Sequence, residues 1–210
     1  MKILLKCKST FVNYIKNNFK EYTLTSLLFI IGLFIGVMVI NNCDNDSLGE
    51  ISTYINDFID NLKNTESINK TELFLDSVKN NVFLALILWL AGTTIIGVPI
   101  VLIIILLRGL SLGYTISMVT YTLGTFKGIE LCFISILFKN LLFIPALLTL
   151  GVSSMKLYKS IIQDKRKENI KIEIIRHSII SILMLLILIL SSIVDAFISV
   201  PFTKIMVQYF

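Results

Sequence analysis

Long uncharged runs alternate with short charged ones along this 210-residue chain. Tyr22–Ile40 holds nineteen residues without a charge, which at about 1.5 Å per residue nearly crosses a hydrocarbon core of roughly 30 Å. A cleaved leader would have a shorter apolar stretch, and Asn41-Asn42-Cys43-Asp44 offers neither a small-x-small site nor a lipobox. Val82–Leu107 runs for 26 uncharged residues, about 39 Å as a helix, so it has to tilt or bend, with Pro99 the natural place. Arg108 ends that run. Gly109–Phe126 is uncharged again but rich in Ser, Thr and Tyr, and Ile129–Gly151 follows, interrupted by Lys139-Asn140 and Pro145. Ser178–Val200 carries Asp195 near its end. The pattern predicts an all-α integral membrane protein with five transmembrane helices, at about 22–40, 82–107, 109–126, 129–151 and 178–200.

Residues 41–80 form the one sizeable polar segment, in which acids outnumber lysines eight to three. Within it Ile51, Tyr54, Ile55, Phe58, Ile59 and Leu62 recur at helical spacing, predicting an amphipathic helix outside the membrane. Ser47 with Glu50 three residues on reads as its capping box. A second short helix is expected from Thr71, with Leu73, Phe74 and Val78 on one face. Six bulky residues on one side of a solvated helix need cover, from the protein's own spans or from a partner such as a hydrolase or a second copy. A bilayer surface suits it least, because Glu50, Asp57 and Asp60 are repelled by anionic headgroups.

Composition narrows the class further. Hydrophobic residues make up 55% and charged residues 16%, with a mean hydropathy of +0.84, which excludes disorder of the whole chain. The net charge of +5 lies in blocks between apolar runs. The basic segment 152–177 lacks aromatic interleaving, so its expected partner is anionic membrane lipid and not nucleic acid. With the N-terminus inside, thirteen basic residues (Arg108 among them) fall on the cytoplasmic side and five outside. The positive-inside rule then gives an N-in, C-out topology with 41–80 as an extracytoplasmic loop and 152–177 as a cytoplasmic one.

Little catalytic chemistry is on offer. Cys7, Cys43 and Cys132 form no CxxC pair, and one histidine excludes HExxH and any two-histidine metal site. His177, in the basic stretch Lys171–His177, reads as a solvated helix-end residue. There is no phosphate-binding loop, dinucleotide fingerprint or nucleophile elbow. No cofactor and no metal are expected.

Two features of the spans stand out. Gly109, Gly113, Ser117, Thr120 and Gly124 make a stripe of small residues, the mark of a helix packed closely on protein. GxxxG pairs occur at Gly32/Gly36, Gly109/Gly113 and Gly124/Gly128, the first suited to a partner or a second copy. Lys139 and Asn140 within a span are costly and call for explanation. Asp195, some five residues from the end of its span, is within reach of Lys139 for an interhelical ion pair. Such a pair is a structural latch in the simpler reading and part of a proton or cation path in the other.

Val98-Pro99, the run Leu107-Arg108-Gly109-Leu-Ser-Leu-Gly113-Tyr114, and Phe138-Lys139-Asn140-Leu-Leu-Phe-Ile-Pro145-Ala146 together resemble the stage II sporulation protein M family. Pro99, Arg108, Asn140 and Pro145 carry the family motif, while Lys139 departs from the uncharged residue usual there. The resemblance implies a non-enzymatic membrane scaffold in the mother-cell membrane of endospore-forming bacteria. Its implied partners are the peptidoglycan hydrolases named stage II sporulation proteins D and P, anchored for septal thinning and engulfment of the forespore. A transporter, or the membrane subunit of one, is the alternative, resting on Lys139, Asn140 and Asp195. No inverted repeat supports it, and five spans do not divide into two equal halves.

Overall fold

In the computed structural model, residues 13–64, 69–94, 97–163 and 167–209 are described. Cys7 and the first lysines, like Lys165 and Arg166, lie outside them. Helix α1 (Phe19–Asn41) is followed by α2 (Asn45–Asn64), α3 (Lys70–Gly92), α4 (Gly97–Leu123) and α5 (Thr125–Gln163). Helix α6 (Lys167–Val194) continues through a π-helical turn, Asp195–Ser199, into α7 (Val200–Val207). Five of these helices are long and apolar enough to cross a membrane: α1, α3, α4, α5 and the composite helix of α6, the π turn and α7. The connections after α3 and α5 share one face of the bundle with the start of α1, called here the N-terminal face. Helix α2 lies on the opposite one, the loop face.

The second and third spans are divided differently from the expectation. Val82–Leu107 is not one helix: the chain leaves α3 after Gly92 and re-enters helix at Gly97. Gly92-Thr93-Thr94 and Gly97-Val98-Pro99 surround the break with residues that end and start helices. Pro99 stands in the first turn of α4, where its missing N–H has no helical acceptor to lose. Two consequences follow. Lys70–Gly92 is a single helix, so the short helix expected at Thr71 is the first turns of a span, capped by Asn69, whose side chain accepts from the Glu72 N–H. Arg108 does not end a span. It lies in the interior of α4, and removing it from the charge count leaves twelve basic residues against five.

The tightest contact in the bundle joins α1 to α4. A Cβ added to Gly32 or Gly36 would stand 2.1 Å from the carbonyl oxygen of Leu106 or Leu110, and one on Gly109 or Gly113 would stand 2.1 or 2.0 Å from that of Phe29 or Leu33. The two GxxxG pairs therefore face each other, backbone against backbone, and Gly32/Gly36 serves this chain's own span. Ser117 continues the buried stripe. Thr120 packs instead under Gly128 of α5, whose added Cβ would meet its Cα at 2.5 Å. Gly124 does not belong to the packing stripe: nothing lies within 4 Å of its Cβ position, and its φ of +81° turns α4 into α5, a conformation that glycine adopts without cost.

Leu88, Val101, Ile105, Leu147, Leu150 and Leu188, all fully buried, centre the core. On the loop face α2 lies across the ends of α4, α5 and α7, with Ile55 and Ile59 packed on Leu131 and Val207. Its cap differs from the one read in the sequence. The helix starts two residues before Ser47, and Asp44 accepts from both the hydroxyl and the N–H of Ser47. These bonds, the hydroxyl's above all, hold the Asp44 carboxyl below the usual carboxylate range.

Candidate functional site

Polar side chains too costly to leave in hydrocarbon converge between α3, α4, α5 and the π turn. They line a cavity of about 600 Å³. Helix α3 contributes Ser77, Asn80 and Asn81, α4 contributes Arg108, Ser111 and Thr115, and α5 contributes Ser135, Lys139 and Asn140. Asp195 closes one wall, and Phe58 of α2 covers the loop-face end. A second cavity of about 500 Å³, mostly apolar, lies beneath α2 and shares Phe58, Thr115 and Asp195 with the first.

Depth is set by helix position. Arg108 is eleven residues from Gly97, roughly 17 Å along α4, near the middle of a bilayer core. Lys139 lies fourteen residues beyond Thr125, roughly 21 Å from the loop face. Asp195 is twelve residues before Val207, roughly 18 Å, and so deeper than a span ending at Val200 suggests.

Lys139 Nζ donates to Asp195 Oδ2 at 2.5 Å, and Ser77 Oγ donates to the same oxygen at 3.3 Å. Ser191 donates to the backbone oxygen of Lys139 at 2.9 Å, tying α6 to α5 behind the pair. Asn81, buried, donates to Ser192 Oγ at 2.8 Å and to the Leu188 carbonyl at 3.1 Å. Asn140 donates back to the Ile136 carbonyl at 2.9 Å, so it contributes its amide oxygen to the cavity. Pro145, one turn beyond, removes a backbone donor from the same helix.

The π turn follows from Pro201. Without an N–H, and with a ring that crowds the carbonyl four residues back, proline breaks the α-helical ladder, and the Val200 N–H bonds Asp195 O five residues back. Asp195 thus opens a helical irregularity of the kind often found at functional sites.

Arg108 contrasts with Lys139. Its guanidinium stands 5.5 Å from the Phe143 ring centre, a cation–π contact, and makes no ion pair or hydrogen bond among the described residues. In the sequence it reads as an interfacial charge, because it terminates an apolar run. Asn80 and Asn81 escape notice for the same reason, falling in what reads as a loop.

The face of α2 is divided. Ile55 and Ile59 are buried, Ile51 and Leu62 half-buried, while Tyr54 and Phe58 stay 65% and 49% exposed. His177 is buried rather than solvated. Its Nδ1 pairs with Ser153 Oγ at 2.8 Å, its Nε2 faces the Trp89 carbonyl at 3.4 Å, and its ring fills the space left by Gly92. The charged neighbours in sequence point away from that face, which is why the stretch looks solvated.

No match is found among curated proteins or among solved structures. The family profile described as Stage II sporulation protein M matches residues 25–200, which takes in all five spans and every motif residue from Pro99 to Pro145. This membrane-spanning chain belongs to the stage II sporulation protein M family, and through it to sporulation.

Proposed function

We propose that the chain is a non-enzymatic membrane scaffold that anchors cell-wall hydrolases during engulfment of the forespore. By family resemblance these are the stage II sporulation proteins D and P, and the site is the mother-cell side of the septum. The N-terminal face is cytoplasmic, as the excess of basic residues there favours, and α2 lies outside with the cell wall. The divided face of α2 carries this reading. Ile55 and Ile59 hold the helix on its own spans, while two aromatic side chains, Tyr54 and Phe58, are left uncovered beside Asp57 and Asp60. Aromatic anchors in a polar surround are the usual centres of protein interfaces.

The test pairs two measurements on Tyr54→Asp and Phe58→Asp: membrane abundance, and hydrolase recovered with the tagged protein from sporulating cells. Normal abundance with recovery cut about tenfold or more is expected, since losing an aromatic anchor commonly costs 2 kcal/mol or more. Undiminished recovery removes α2 from the interface. The mid-depth cavity favours the second reading, a transporter or its membrane subunit. An ATPase recovered in place of hydrolases decides for it.

A further inference from the structure

We infer that the mid-depth cavity receives the phosphate-bearing headgroup of a membrane lipid, with Arg108 as the group that binds it. Charge is the first argument. Of the charged groups in the cavity, Lys139 and Asp195 satisfy each other. Asp76, six residues into α3, is exposed near the loop face and makes no ion pair with Arg108. One cation therefore remains at mid-depth with no anionic partner, carrying five N–H donors in a planar fork. A fork of that shape fits a phosphate, two oxygens at a time. A lone guanidinium at this depth is costly, and an anion that it can bind offsets the cost.

Access is the second argument. A groove of about 490 Å³ runs between α3 and α4, and it shares Asn80, Arg108 and Ser111 with the cavity. Its remaining walls are aliphatic or aromatic, and its lips, Phe83 and Leu107, are 65% and 51% exposed on the lipid-facing side. The space thus has a polar end holding an unpaired cation and an apolar slot open toward acyl chains. That is the shape of an amphiphile: the head reaches Arg108 through the cavity, and the tails leave through the seam into the bilayer. A free phosphate would use the cation and leave the slot without purpose.

The test uses the full chain in a zwitterionic detergent, followed by thermal unfolding and native mass spectrometry. Phosphatidylglycerol, phosphatidylcholine and inorganic phosphate are the three probes. Phosphatidylglycerol is expected to raise the unfolding temperature and to be retained as a one-to-one adduct, and Arg108→Gln to weaken that retention about tenfold or more. Lys63→Gln, on the exposed end of α2, should retain it as the parent does. Ser111→Trp, which fills the junction of groove and cavity but keeps the guanidinium, serves as the second variant if Arg108→Gln does not accumulate, and should also lose the adduct. An equal shift with inorganic phosphate assigns the site to a free anion and overturns the lipid reading. Retention undiminished in whichever variant folds overturns the site itself.

Discussion

Helix α4 has two seams of opposite character. Against α1 it is closed: glycine backbones meet glycine backbones, and no side chain lies between them. Against α3 it is open, with a groove and a polar cavity where the other seam has contact. Arg108 and Gly109 are adjacent in sequence and so point about 100° apart around the helix. One dipeptide therefore serves both seams, and the family motif Arg108-Gly109-x-x-x-Gly113 joins an anchoring face to a charged one. Lipid tails give apolar side chains no reason to associate, so a membrane helix is fixed by close backbone packing. The dry seam holds α4 in place, and that lets the other side keep a space that a uniformly packed bundle would fill.

The contrast can be broken most severely at the dry seam. Gly113→Leu drives a branched side chain into the Leu33 backbone, which cannot rotate aside, and should destabilise the bundle by about 3 kcal/mol. Met118→Leu, one turn on and against α2, conserves volume and should cost less than about 1.5 kcal/mol. Unfolding temperatures of the two purified variants in one detergent compare them directly. Equal losses would mean that the α1–α4 crossing is not the anchor.

Next comes the roof of the open seam. Ile59→Ala should weaken the docking of α2 by about 2 kcal/mol, read as faster proteolysis within 45–64 while the spans stay intact. A smaller effect is expected within the cavity. Asp195→Asn leaves Lys139 without its carboxylate, and because the two side chains are 20% and 34% exposed the loss should be about 1–2 kcal/mol. Lys139→Met combined with Asp195→Leu should recover part of it, which a double-mutant cycle of unfolding temperatures measures.

The smallest effect is at the α2 cap. The Asp44 carboxyl titrates below its unfolded value of about 3.9, so its contribution is complete above that pH and is lost as pH falls through the lower folded value. Amide exchange at Ser47 should therefore quicken only in acid, and Asp44→Ala should abolish that pH dependence.

Five spans were legible because each is an uncharged stretch long enough to cross. The border between the second and third was not, because the turn at 93–96 carries no charge, whereas Arg108 inside a helix does. Reading charges as span ends gives the wrong answer wherever a charge is functional. The glycine and proline spacing of Gly92, Gly97 and Pro99 held the correct border. Gly109, Gly113 and Ser117 follow from helical spacing alone, but the partner of that face, Gly32/Gly36, is a matter of tertiary packing. Gly124 shares the spacing and not the role, since a turn glycine and a packing glycine look alike in sequence. Lys139 and Asp195 could be paired on depth, while Asn81 could be added only once α3 had its true start. His177 was hidden because burial depends on what lies opposite, here the bare backbone of Gly92.

The π turn at Asp195–Ser199 has a consequence for the arithmetic of the last helix. Accommodating one surplus residue in five advances everything after it by about 100° relative to an uninterrupted α-helix. Asp195 can then open onto the cavity while Thr203 and Val207, counted on from it, still meet α5 and α2. Deleting a single residue from 196–199 would take up that surplus and rotate the final two turns out of phase, exposing Val207 and drawing a lipid-facing residue inward. The closing segment behaves as a key cut to one angular setting, and its length matters more than the identity of most of its side chains.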